Sequence, residues 1–425
     1  MPSFPAMDNA ASHSQASFEA RTGFVAELAS RLHAYGTTTQ RLEAAVEAVS
    51  ARLGLDCEIW ANPTGLILSF ADPVRGAHNG ITRVLRLPPG EQDLKRLAAT
   101  DAVAEDVLAG RMAPSEGLEA LLALDRPRSR GARVVTALSF GLSASAVAVL
   151  LGAGLAGAVT AALIGVVTGC LAVAAETRPR LGEGLEALAA AIATLLVAAV
   201  AAFVTPIAYK TVVIASLIVL MPGLTLTNAV SELAAQQLVA GTARFAGAMM
   251  SLLNLTFGTV AGLQLAKLMG WELQEAPAVF PTLPLELGAL GVAAFAFAVL
   301  FRAGTRDYPL VMVSVLLGYG LTRLGGEVLG LASETFAGGA FFAGIGIAAI
   351  SNAYGRWRNR PGALIRVPGI ILLVPGSMGF RSINFVMERD VFLGLDTAFT
   401  VVTALVALVA GLLFGNLLVP SRRNI

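Results

Sequence analysis

Val219-Leu220-Met221-Pro222-Gly223 decides how this chain is read, together with its counterpart Leu373-Val374-Pro375-Gly376, placed 153 residues later. Each closes a short apolar segment with the two strongest helix breakers, inside otherwise membrane-like sequence. The same offset lays Gly241 on Gly394, Gly258 on Gly411, Gly262 on Gly415 and Leu265 on Leu418 without a gap. Chance matching is the competing explanation, because glycine supplies 44 of the 425 residues. Five ungapped coincidences, one of them Pro-Gly, favour an internal repeat. A hydrophobic segment broken at the matching place in two halves is the sequence pointer to a secondary-transporter binding site.

Composition agrees. Hydrophobic residues make up 56% of the chain and charged residues 14%, whereas soluble proteins carry roughly 25% charged residues. Most of the chain is therefore expected to face lipid. Residues 1–125 hold ten Lys/Arg against sixteen Asp/Glu, while residues 126–425 hold twenty against thirteen. That shift separates an acidic soluble part from a membrane part, and acidity argues against a nucleic-acid partner. Cys57 and Cys170 fall in different parts, are not expected to pair, and fit a reduced cytosol. Residues 1–20 are small and polar without an apolar core, and read as a disordered tail rather than a signal peptide.

Residues 21–125 read as a cytosolic α+β domain. Phe24, Leu28, Leu32 and then Leu42, Val46, Val49, Leu53 recur at helical spacing on either side of Gly36. Cys57–Ala61, Gly65–Phe70 and Ile81–Arg86 have strand character, and helices are expected over Gln92–Ala109 and Pro114–Leu124. His13, His33 and His78 are scattered, are expected at the surface, and form no metal-ligand pair.

Residues 126–133 form a basic linker of the kind that holds to the cytoplasmic side of a membrane. Ten apolar segments follow, near 134–151, 155–175, 187–204, 211–222, 245–266, 285–301, 308–322, 335–354, 364–375 and 397–419. The fourth and ninth, which end in Pro-Gly, are too short to span alone, since a span needs about 20 residues. They are half-helices or spans continued past the break. If all ten cross and the N-terminus is cytoplasmic, fifteen Lys/Arg lie inside and five outside, the positive-inside bias. Repeats of five spans, 134–268 and 283–421, then enter the bilayer in opposite senses, with both termini cytoplasmic.

Pro222 removes a backbone donor and Gly223 permits unusual dihedrals, so irregular backbone at membrane depth implies a cavity. The helix after the break would aim free N–H groups at a carboxylate there. Thr225, Thr227, Asn228 and Ser231 add neutral hydrogen-bonding groups. Glu232 and Arg244 flank this helix; burial would let Glu232 exchange a proton, with Arg244 modulating its charge, and a headgroup location for both stays open. Asn254 on the fifth span suits helix–helix bonding or substrate contact. After Pro375 and Gly376, Arg381 suits a carboxylate or an ion pair with Glu388, and Asn384 follows on the same helix. There is no GxxxxGK[ST], HExxH or GxSxG, so neither ATP-driven transport nor hydrolysis is expected, nor any metal or cofactor.

At these residues the chain resembles the bacterial threonine/serine exporter family, from about Phe24 to Val419. The stretches LHAYGTTTQRLEAAVEAVSARLGL and PTGLILSF are similar to its cytosolic domain. MPGLTLTNAVSELAAQQLVAGTARFAGAM and RVPGIILLVPGSMGF resemble its two Pro-Gly segments. The halves also look like the two subunits of a two-component succinate exporter, fused. The resemblance implies ion-gradient-driven export across the inner membrane, with the acidic position after the first break at Glu232. It leaves open whether the solute is a hydroxy amino acid or a dicarboxylate.

The expected protein is thus a polytopic α-helical membrane protein of about ten segments in two inverted five-helix repeats, behind a small α+β domain. Its expected function is secondary, proton-coupled export of small polar carboxylates. A non-transporting sensor or scaffold and a passive channel are the alternatives, and a homo-oligomer is left open.

Overall fold

The computed structural model of the chain describes residues 17–73, 80–125, 127–328 and 336–420; His13, His78, Arg126, Arg422 and Arg423 lie outside these. The N-terminal module contains α1 (Phe18–Ala34), α2 (Thr39–Arg52), β1 (Asp56–Asn62), β2 (Gly65–Ala71), β3 (Ile81–Arg86), α3 (Leu94–Leu108) and α4 (Pro114–Ala123). The strands form an antiparallel meander in the order β1-β2-β3. Leu66, Leu68 and Phe70 alternate along β2 and are buried under the stripe of Phe24, Leu28, Leu42 and Val46, the period-2 and period-3.6 patterns meeting in one core. Helix α1 begins at Phe18, inside the stretch read as a tail, because Ser17 Oγ accepts the Ala20 N–H. Asp93 likewise accepts the Arg96 N–H and starts α3 two residues later than expected.

The histidine expectation is corrected at His33. This residue is buried at the end of α1, where Nε2–H donates to the Pro88 carbonyl at 3.0 Å.

Among the described residues, eight helices are long and apolar enough to cross a membrane. They are α5 (Arg130–Leu150), α6 (Gly154–Ala175), α8 (Leu185–Phe203), α11 (Leu238–Leu268), α12 (Leu283–Leu300), α13 (Tyr308–Val328), α14 (Phe336–Arg358) and α17 (Val391–Leu418); short α7 (Pro179–Glu183) links α6 to α8. Leu155, Phe203, Leu268, Phe392 and Leu417 stand exposed on or at the ends of these helices, as lipid-facing positions should. A ninth qualifies as a bent pair: α9 (Tyr209–Leu217), with its 3-10 extension Ile218–Leu220, turns by 59° into α10 (Gly223–Ala234). The remaining expected segment is also broken, into α15 (Ala363–Ile370) and α16 (Gly376–Met387). Both short segments therefore continue as helix beyond Pro-Gly. The fifth and tenth start earlier than expected, at Leu238 and Val391, so Arg244 rides on a helix rather than in a loop.

The two breaks have the same shape and touch. Pro222 has φ −80° and ψ 38°, and Pro375 has φ −80° and ψ 39°. In each, the glycine N–H bonds the carbonyl two residues back, Gly223 to Met221 and Gly376 to Val374, both at 2.9 Å. This is the three-residue turn that proline's fixed φ prepares. A β-carbon on Gly376 would sit 3.0 Å from the Gly223 Cα, and one on Gly223 would sit 3.3 Å from the Gly376 Cα. The echo recurs in the flanking helices. Gly258 packs on the Ala187 carbonyl of α8, and its counterpart Gly411 packs on the Phe341 carbonyl of α14.

The module is docked, not tethered. Leu94 and Lys95 donate backbone N–H bonds to the carbonyls of Phe301 and Arg302 at the end of α12, at 3.0 and 3.1 Å. One continuous apolar core joins Leu94 and Leu97 to Phe297, Phe301, Val311 and Leu364. At the opposite end, the 269–282 connection bridges Ala153 to Val279 and Ile207 to Glu275, and Lys210 pairs with Glu388 at 2.8 Å.

Two outcomes are expected. Gly376→Ala should destabilise the detergent-solubilised chain by about 1–3 kcal/mol, as overpacking does, while Gly288→Ala, with nothing within 4 Å, should not; thermal melts compare them. Burial lowers the pKa of His33, the Pro88 bond opposes this, and the positive charge of Arg244 adds to the lowering. The unfolded ring therefore takes up a proton near pH ~6.5, before the folded one does. Stability should fall as pH drops below that point, and His33→Gln should lose less between about pH 7 and 5.5.

Candidate functional site

The touching turns form part of the wall of a cavity of about 660 Å³, within the size range of about 300–1,000 Å³ typical of small-molecule sites. Helices α10 and α16 both start at this wall, and neither has a side-chain cap. The first ladder bonds run from Leu226 to Pro222 and from Gly379 to Pro375. The N–H groups of Leu224 and Thr225, and those of Ser377 and Met378, precede the ladders, as the first donors of any helix do. Two positive dipole ends thus meet at one cavity, an arrangement that favours an anionic group. Thr225, Asn228, Ser377, Arg244 and Tyr319 add polar side chains to a lining otherwise rich in Val, Leu and Phe.

Module residues Gly36, Gly90, Glu91 and Gln92 also line this cavity, so the module closes it on one side. Arg302 donates to Glu91 at 2.6 Å and to Glu176 at 3.4 Å, and Arg128 reaches Glu176 at 2.5 Å. These ion pairs join the module and both halves of the membrane part beside the cavity.

Glu232 is buried, but away from the central cavity. Arg244 Nε donates to its two oxygens at 3.0 and 2.8 Å, and the Thr39 backbone N–H donates to Oε1 at 3.0 Å. Thr39 is the first residue of α2, whose N-cap Thr38 makes no side-chain bond. Glu232 therefore supplies from the membrane part the anionic cap that the module's own sequence leaves out. Its neighbour Gln237 donates to Glu43 of α2 at 2.6 Å. Burial raises the pKa of Glu43, and its bonds from Ala61 and Gln237 oppose that shift. Ser231 and Glu232 face a second cavity of about 700 Å³ beneath the module.

Of the other candidates, Gly223 and Gly376 form the contact, with Pro222 and Pro375 setting the turns. Thr227 is buried and spends its hydroxyl on the Gly223 carbonyl at 3.2 Å. Asn254, Arg381 and Asn384 are not brought to the central cavity. Asn254 is half-buried on α11, and Asn384 donates to the Phe380 carbonyl within its own helix at 2.9 Å. Arg381 does not pair with Glu388, whose carboxylate takes Lys210 instead. The reading of single residues did not reach Ser377, Tyr319, or the Glu91, Glu176 and Arg302 cluster. In sequence Arg302 is one more positive-inside charge, and its partners lie 211 and 126 residues away.

The comparisons follow the two halves. A family model described as a threonine/serine exporter matches residues 23–266. A second, described as threonine/serine exporter ThrE, matches residues 288–418. Pheromone-regulated membrane protein 10 of Zygosaccharomyces rouxii is 25% identical over 371 residues, covering 85% of this chain and 37% of that protein. The chain thus spans little more than a third of that relative. No solved structure matches.

Removing one partner of a buried ion pair leaves the other uncompensated. Arg244→Gln should therefore lower stability by about 3 kcal/mol and open the module to limited proteolysis. Adding Glu232→Gln should recover part of the loss; additive damage in the double variant would rule out the pairing.

Proposed function

The chain belongs to the threonine/serine exporter family, a family of membrane transporters, and on that premise we propose secondary active export of small polar carboxylates. The solute in this reading is a threonine- or serine-type amino acid or a dicarboxylate such as succinate. The observation that carries it is the meeting of two uncapped helix N-termini at one cavity, beside Thr225, Asn228 and Ser377. A carboxylate suits the helix ends, and a hydroxyl or ammonium suits the neutral side chains and nearby carbonyls.

The proposal includes ten crossings in two inverted halves, 134–268 and 283–421, behind a cytosolic module and a basic linker. Contacts at the segment ends support it. The first broken segment starts beside Glu388 and ends at the module, where Glu232 meets Thr39. The second starts near Arg360 and Arg366 beside the module and ends at Glu388. They run in opposite senses through one contact, as alternating access between inverted repeats requires. The module side carries Arg128, Arg244, Arg302, Arg360 and Arg366, which supports an inner-membrane location with cytoplasmic termini.

The proposed coupling ion is the proton, with Glu232 as its carrier and Arg244 as its modulator. Glu232 is the only carboxylate within the two broken segments. Releasing Thr39 would open one lone-pair position on Oε1, which Arg244 still bonds, so proton uptake and module movement would be one event.

Everted vesicles test both levels. Gradient-driven accumulation of L-threonine, L-serine or succinate is expected; equilibration alone would mean a channel, and no flux of any candidate a sensor or scaffold. Glu232→Gln should abolish driven accumulation while leaving solute exchange. Driven transport equal to the parent's between about pH 6 and 8 would remove Glu232 from coupling.

A further inference from the structure

Between the central cavity and the lower one lies a pocket of about 60 Å³ at the seam of the module and the second broken segment. Asn228 and Gln92 wall both it and the central cavity; Arg41, Asp101 and Arg366 wall both it and the lower cavity. Its size matches a carboxylate group or about two waters at ~30 Å³ each. The three spaces therefore form a series leading from beneath the module to the uncapped helix ends.

The charges in this pocket do not balance. Arg41 comes from α2 of the module, and Arg366 from α15, just before the second break. Both guanidiniums line this one pocket, and the charge of Arg41 bears on Arg366. Asp101 offsets part of the charge on Arg41, whose pKa burial nevertheless lowers. Arg360, the next cation in the lower cavity, is held by Asp307 through two bonds of 2.6 and 2.9 Å. Glu232 is held by Arg244 and Thr39, and Glu47 faces only the lower cavity. Among the described residues Arg366 has no carboxylate partner. Among the described lining residues, two guanidiniums against one carboxylate leave one positive charge half-buried where the pocket meets the lower cavity, a place that favours an anion.

We propose that Arg41 and Arg366 form a carboxylate-binding site at this seam, a station the solute occupies between the lower and central cavities. A guanidinium's planar fork matches a carboxylate. One ligand held between the two arginines bridges the module and the second half. The station role rests on the export reading; the binding site does not.

The test uses the full chain in detergent, melted with sodium acetate, acetamide or sodium chloride, ionic strength being held constant. Acetate should raise the melting temperature, and acetamide and chloride should not. Arg366→Gln should abolish the acetate response, and Arg366→Lys should keep part of it. Without ligand, Arg366→Gln should melt at or above the parent temperature, because it removes like-charge repulsion; a purely structural arginine would give a lower one. In everted vesicles Arg366→Gln should raise the half-saturating L-threonine concentration about tenfold, with the maximal rate changed less than about twofold. An undiminished acetate response in Arg366→Gln, or a chloride response as large as acetate's, overturns the site. An Arg366-dependent acetate response in detergent, beside everted vesicles that show no flux, upholds the site and sinks export. Unaltered half-saturation beside robust flux removes the station and leaves the exporter.

Discussion

Gly223 and Gly376 meet backbone to backbone, and a side chain on either would force its neighbours to shift. Much of the membrane part follows from that exclusion. Proline must precede each glycine to turn the chain in three residues, and the turn must leave the next helix without a cap. Because two such turns touch, two helix starts face one space. The flanking helices repeat the device on a larger scale, Gly258 and Gly411 letting them approach a neighbour's carbonyls. Lipid offers no hydrophobic drive for helices to associate, so close backbone approach and dispersion have to supply it.

Much of this arrangement was legible in the sequence because it is written in residues with a single conformational meaning. Pro-Gly at positions 222 and 375 marks a break wherever it occurs in an apolar run, and matched spacing made the pair visible. The meander and the stripes of α1 and α2 were legible for a similar reason, since period 2 and period 3.6 are properties of the chain itself. What sequence left unread was pairing at a distance. Glu232 reads in sequence as a proton-exchanging carboxylate or a headgroup marker, and nothing local shows that it caps a helix 193 residues away. His33 reads as one more surface histidine, and the Pro88 carbonyl that accepts its hydrogen bond lies 55 residues away. Arg41 and Arg366 carry no local pattern at all; only folding makes them neighbours.

The module is physically a floor. Its residues line the central cavity, its core is continuous with that of α12 and α13, and its second helix is capped by the membrane part. Passage of a solute on that side must therefore disturb polar contacts that the lipid-facing helices do not share. Ion pairs such as Arg302 with Glu91 are partly hydrated and easily exchanged, whereas the Glu232 and Arg244 pair is sealed. The seam thus has a strong and a weak side, and movement should begin at the weak one.

The missing cap on α2 also gives the molecule a history. Ribosomes add about 5–20 residues per second, so tens of seconds or less separate synthesis of Thr39 from arrival of Glu232. Throughout that interval the second helix of the module has a bare start. Only when the first broken segment has inserted does its carboxylate close the helix that emerged first. The start of the module's second helix is in this way completed only by a residue of the first broken segment.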